Sequence, residues 1–327
     1  MKALTVPIQV LPEGRYLPEQ DGHHVWWCET GLPGGAPVLV LHGGPGGRTR
    51  LAPFGWFDGL PVRCIAFDQR GCGKSLPEAR LEHNTLAALV GDIERLRDAL
   101  GITSWGLAAG SWGALLAMAY AAAHPQRVNG LFLRSAFLGS DAEVARFFAP
   151  WSGWLGESGA AWLGAIEAAD PLTLLAPPAR SVSRARVGQA WQAFEQAQAR
   201  AGGLRATPEL RFDPPQAMPS AEPDALPASL AVQWHYLRQH CFVRPGRVDA
   251  WLGLLETALA GRPVALVHGL VDEVCPPDVS AALSARWPHA VLRWVDGAGH
   301  DMDAPALRVA LTDAARQWAA QLAPLPA

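Results

Sequence analysis

The chain has 327 residues, of which 50% are hydrophobic and 17% charged, with a net charge of −3. That length and composition suit one large core with an insertion or second domain, and the charge balance speaks against nucleic-acid or anionic-membrane partners. No apolar stretch approaches the ~20 residues of a membrane-spanning helix, and the proline- and charge-broken start, "MKALTVPIQVLPEGRYLPEQDG", lacks the apolar segment of a secretory signal. Five scattered cysteines without a CxxC pair predict neither a disulfide framework nor a zinc site. A reduced, cytoplasmic protein without metal or cofactor is expected.

In chain order, "PVLVLHGG" (37–44) and "VRCIAFDQ" (62–69) are short apolar runs ending at turn residues, the pattern of strands buried on both faces. "NTLAALVGDIERLRDALG" (84–101) carries Leu86, Leu89, Val90, Ile93, Leu96 and Leu100 at helical spacing, with Gly101 as a stop. A strand over 104–109, an apolar helix "WGALLAMAYAAAH" (112–124) and a strand "VNGLFLRSAF" (128–137) follow. The β-α-β-α-β order predicts a mostly parallel, doubly wound sheet. From 138 to 258 strands vanish, Pro-rich connections alternate with helical stretches such as 187–201, and six of the fourteen tryptophans occur. This segment reads as a helical cap inserted into a core formed by 1–137 and 259–327. Strands at 262–272 and 290–300 and an amphipathic helix at 304–323 resume the pattern.

The stretch "LAAGSWGAL" (107–115) sets Ser111 on a strand-turn-helix corner, with small residues Ala109 and Gly113 two places either side. A serine hydroxyl needs a base to become a nucleophile, and the base needs a carboxylate to fix its tautomer. Asp272 in "HGLVDEVCPP" and His300 in "DGAGHDMD" each follow a predicted strand, and Ser–Asp–His is the chain order of α/β hydrolases. Taken singly, each has an ordinary structural explanation; together they point to a catalytic triad. The turn "LHGGPGG" (41–47) predicts an oxyanion hole from the backbone N–H groups of Gly44 and Trp112, with His42 shaping the loop. "RGCGKS" (70–75) ends like a phosphate-binding loop, but Asp68 stands where that motif needs glycine.

"HGGPGG", "FDQRGCGKS", "AGSWGALLAMAYAAAHPQRV", "HGLVDEVCPP" and "GAGH" together resemble the proline iminopeptidases, a group of α/β hydrolases. The resemblance implies an α/β-hydrolase fold with a helical cap, the triad Ser111, Asp272 and His300, no cofactor, and release of an N-terminal proline from a small or short-peptide substrate. It carries the family's "WxxWE" glutamate to Glu195, after Trp191. It matches the family's "E-N-H-Y-F" element to "RQHCF" (238–242), where Arg238 replaces a glutamate that holds the substrate's amine. Phe137 and Trp191 complete the candidate substrate-binding set. Arg238 is expected to pair with Glu195, or else to face solvent while Asp141, Glu157 or Glu167 substitutes. An esterase or amidase for small neutral acyl groups, and a non-catalytic binding protein on the same scaffold, remain as alternatives.

Overall fold

A computed structural model describes residues 10–164, 171–175, 183–200, 214 and 226–322. Glu167 and most of the Pro-rich connections lie outside the described residues. The centre is an eight-stranded sheet, in spatial order β1-β2-β4-β3-β5-β6-β7-β8. Strands β3 (Ala36–Leu41), β4 (Val62–Phe67), β5 (Trp105–Ser111), β6 (Val128–Ala136), β7 (Val264–Gly269) and β8 (Val291–Val295) run parallel. Strands β1 (Gly14–Tyr16) and β2 (Trp26–Gly31), for which the sequence reading had no assignment, form an antiparallel edge.

Alternation along each strand feeds two separate cores. Leu39, Leu41, Ile65, Leu107 and Leu133 pack with α2 (Leu86–Ala99) and α3 (Trp112–Ala123). Val38, Val40, Cys64, Ala66, Ala108 and Phe132 face α1 (Ala52–Gly55) and the closing helix. Both faces are covered, so β3 is buried at every position and reads as an unbroken apolar run. Thr85 caps α2 by accepting from the Ala88 N–H at 3.2 Å.

Between β6 and β7 the chain is helical among the described residues. Helices α4 (Asp141–Phe148), α5 (Trp151–Leu163), α6 (Pro171–Leu174), α7 (Arg184–Ala199) and α8 (Ala228–Arg238) share a core of their own. Its centre is aromatic: Phe194 lies 5.3 Å from both Trp151 and Trp154 and 5.5 Å from Phe147. The expected cap boundary at 258 differs from the packing. Helix α9 (Arg247–Ala258) rests on α3, and its Leu252 and Leu255 join the main sheet core, because α3 is apolar on every side and needs cover there too. Helix α10 (Asp278–Arg286) and α11 (Pro305–Ala319) then complete the two layers.

Candidate active site

Ser111 ends β5 and precedes α3 with φ 55° and ψ −131°, a conformation that L-residues rarely adopt. Its surroundings hold it there. A Cβ on Gly113 would lie 2.6 Å from the Leu41 carbonyl oxygen, so only glycine lets α3 start this close to β3. Gly43 likewise allows the loop after β3 to pass the Gly110 carbonyl and the Ser111 side chain. The free N–H groups of the first turn of α3 and the positive end of its dipole therefore lie beside the serine.

Asp272 and His300 sit on the loops after β7 and β8. His300 Nδ1 is 2.8 Å from Asp272 Oδ2, while Oδ1 accepts from the N–H groups of Val274 (3.0 Å) and Cys275 (2.9 Å). Burial alone would raise the Asp272 carboxyl, but His300, His268 and the Cys275 N–H outweigh it and hold it at about 2. Asp272 is thus a fixed anion that turns the other ring nitrogen of His300 away from it. Ser111 and His300 both line one cavity of about 510 Å³. Two residues absent from the sequence reading brace this corner. His268, fully buried and kept neutral chiefly by desolvation, donates from Nε2 to the Cys275 carbonyl (2.7 Å) and accepts the Ser280 hydroxyl proton at Nδ1 (2.6 Å). The Cys275 thiol, pushed up by burial and so protonated, lies 3.6 Å from Ser111 Oγ.

The loop 42–47 closes over the elbow through Gln69. The Gln69 backbone N–H donates to His42 Nε2 (3.0 Å), its amide donates to the His42 carbonyl (3.0 Å), and its Oε1 accepts from Trp112 Nε1 (2.9 Å). One side chain therefore ties together the two segments expected to supply the oxyanion hole. Gly44 lines the cavity; the Trp112 side chain is fully buried against Tyr236, leaving its backbone N–H beside Ser111. The phosphate-loop lookalike is accounted for here as well: the N–H groups of Thr49 (2.5 Å) and Lys74 (2.7 Å) are spent on the buried Asp68 carboxylate.

The α/β hydrolase fold family matches residues 36–302. A probable proline iminopeptidase of Leptolyngbya boryana is 34% identical over 316 residues, covering 93% of this chain and 94% of that protein. The proline iminopeptidase of Neisseria gonorrhoeae is 36% identical over 309 residues, covering 91% and 94%. The chain belongs to the proline iminopeptidase family. Among solved structures, an esterase of Thermogutta terrifontis aligns with a TM-score of 0.60 at 21% identity (95% of this chain, 99% of that one). A proline iminopeptidase-related protein of Thermus thermophilus aligns with 0.58 at 23% (95% and 98%). These two share the fold. The protein is accordingly a prolyl-aminopeptidase-like hydrolase.

In this member of the proline iminopeptidase family the cap presents a different partner to Glu195 from the one expected. Arg238 is exposed, its guanidinium 5.1 Å from the Trp234 ring, and it lines no part of the cavity. The residue beside Glu195 is Gln233, about 1.4 helical turns earlier on α8, whose amide donates to Glu195 Oε1. It is thus the first residue of "QWHYL" (233–237), and not that of "RQHCF" (238–242), that meets Glu195. Trp191 is also not a lining residue: it is fully buried in the cap core, edge-on to Phe148 at 5.2 Å. Burial raises Glu195 to about 6, despite the donors of Gln233 and Trp191 nearby.

A smaller chamber beside Ser111 is walled by Phe137, Phe147 and Leu237 and reached by Glu195, Gln233 and Glu143. Glu143 is not free to receive a ligand, because its carboxylate caps α4: Leu138 N–H (3.0 Å), Ser140 N–H (3.0 Å) and Ser140 Oγ (2.7 Å) all donate to it. Of the other acids considered, Asp141 is exposed and bound to His240 at 2.6 Å, and Glu157 is exposed. Helices α7 and α8 press on the loops after β3 and β8 at two points. A Cβ on Gly46 would lie 2.0 Å from the Ser229 carbonyl oxygen, and the Asp301 N–H donates to the Ala199 carbonyl at 2.8 Å.

Proposed function

We propose that this protein releases an N-terminal proline from short peptides, with Ser111 as nucleophile, His300 as base and Asp272 as the carboxylate that orients it. The observation that carries the reading is the His300–Asp272 pair at 2.8 Å, in one cavity with a serine held at φ 55°. His300 takes the Ser111 proton as Oγ attacks the prolyl carbonyl, and then gives it to the departing peptide nitrogen. The oxyanion that forms between these steps accepts from the Trp112 N–H and from the 42–47 loop at Gly44, in a site where fixed donors need no reorganisation. Water repeats the sequence on the acyl-enzyme. The pyrrolidine ring packs among Phe137, Phe147 and Leu237, and Glu195 receives its ammonium. Helices α4 to α8 act as the cap over a hydrolase core.

Proline β-naphthylamide hydrolysis tests this. Wild-type protein turns it over, and Ser111→Ala lowers the rate by ~10⁴-fold or more with thermal unfolding little changed, since only a hydroxyl is lost. A serine variant that keeps its activity overturns the triad. Hydrolysis confined to neutral esters, with none of the free-amine substrate, replaces the aminopeptidase by an esterase.

A further inference from the structure

The hydrogen bonds of Gln69 leave the His42 ring only one protonation state. The Trp112 indole N–H can only donate, so the Gln69 atom 2.9 Å from it is the carbonyl Oε1. Gln69 Nε2 is then the donor, and it is spent on the His42 carbonyl at 3.0 Å, although Nδ1 of the ring lies 3.3 Å away. The Gln69 backbone N–H, also a donor only, lies 3.0 Å from His42 Nε2. That ring nitrogen must carry the lone pair, so the imidazole is neutral and its one proton is on Nδ1. Desolvation, the largest influence on the ring, also disfavours its charged form. From Nδ1 the proton is donated to the Gly43 carbonyl at 2.8 Å.

The Gly43 carbonyl and the Gly44 N–H belong to one peptide unit. That unit is trans, so its C=O and N–H point to opposite sides. Holding the carbonyl on the His42 ring therefore aims the Gly44 N–H the other way. Gly44 lines the cavity together with Ser111, and its N–H has no hydrogen-bond partner among the described residues. Two consecutive glycines, the second at φ 129°, have no side chains to resist rotation of the peptide between them. A rotated unit would turn the Gly43 carbonyl, instead of an N–H, towards the forming oxyanion.

We propose that His42 is a positioning residue: its Nδ1–H locks the Gly43–Gly44 peptide with the Gly44 N–H presented to the oxyanion, and the Gln69 backbone N–H selects the tautomer that does so. Gln69 also holds the Trp112 indole, so both donors of the hole are set from one point. The proposal rests on the Ser111 and oxyanion-hole reading above. Every acyl transfer from Ser111 passes through the oxyanion, so hydrolysis of a p-nitrophenyl ester tests the lock whichever substrate the cap selects.

Nitrogen NMR of histidine-labelled wild-type protein, with the His42 ring identified through backbone assignment, reads the tautomer without any variant. A proton on Nδ1 is expected, and a proton on Nε2 overturns the proposal. Kinetics then set two variants against each other. In His42→Asn the side-chain amide nitrogen takes the place of Nδ1 and keeps a donor, whereas His42→Phe keeps a ring and loses the donor. The kcat of His42→Phe should fall by about 10²-fold, the scale of one lost oxyanion donor, with KM little changed. His42→Asn should recover at least about tenfold of that loss. A packing role would favour the ring over the amide, so His42→Asn no more active than His42→Phe, or a fall carried by KM alone, overturns the proposal. Ester hydrolysis that survives Ser111→Ala overturns the triad and the lock with it. Hydrolysis abolished by Ser111→Ala but unchanged in His42→Phe overturns the lock alone.

Discussion

Gln233 donates its side-chain amide to the Glu195 carboxylate, joining α8 to α7 across the cavity that Ser111 lines. Glu195 is thereby the only carboxylate among the described residues of the small chamber that is not consumed by a helix cap. The ammonium site proposed here therefore has one carboxylate, hydrogen-bonded to a neutral amide.

Gln233→Glu adds a second carboxylate to that chamber. At pH 8 both acids are ionised around a bound ammonium, whose attraction is strengthened by desolvation. We expect kcat/KM for proline β-naphthylamide to rise by about tenfold, mainly through KM, with little change for a neutral ester. At pH 5.5 the gain shrinks, because two neighbouring carboxyls hold a proton between them. Steady-state kinetics at the two pH values check it; an equal gain for the ester refutes it.

The raised Glu195 carboxyl gives a pH signature. With its titration near 6, Glu195 is neutral below that pH and loses its hold on the ammonium. The ratio of kcat/KM for proline β-naphthylamide to that for a neutral ester should fall as pH drops through about 6, and should be flat in Glu195→Gln. Taking the ratio cancels the titration of the base common to both substrates. The stability effect has the opposite sense. The native state holds this proton more tightly than the unfolded chain, so stability is lost as pH rises from about 4.5 to about 6. Glu195→Gln should gain stability over wild type above pH 6 and not below pH 4.5, as denaturant titrations would reveal.

Gly113→Ala examines the elbow. The new Cβ would meet two backbone carbonyl oxygens, Leu41 at 2.6 Å and His42 at 2.9 Å, and neither can move without shifting β3 or the loop expected to hold the oxyanion. Overpacking against backbone predicts a loss of about 1–3 kcal/mol in urea unfolding and a fall in kcat larger than any change in KM. A variant with wild-type kcat would show that the 42–47 loop does not hold the oxyanion.

The sequence by itself determined the strand-turn-helix elbow within a mostly parallel sheet and the three residues proposed for chemistry. Strand, tight turn and apolar helix are all encoded within residues 105–123, and Asp272 and His300 each sit a few residues past an apolar strand. Those are short-range patterns, and a parallel sheet brings its strand ends to one edge whatever lies between them. Only the tertiary structure decided what the cap offers the substrate. Glu195 and Gln233 are 38 residues apart on different helices, and which face of α8 points inward depends on its packing against α6, α7 and the main core. Residues 233 and 238 lie five apart, a turn of more than a quarter of a circle about the helix axis, so Gln233 rather than Arg238 meets Glu195. The pairing of β2 with β4 and the buried His268 brace were likewise invisible, because each depends on which atoms the folded chain brings within hydrogen-bond distance.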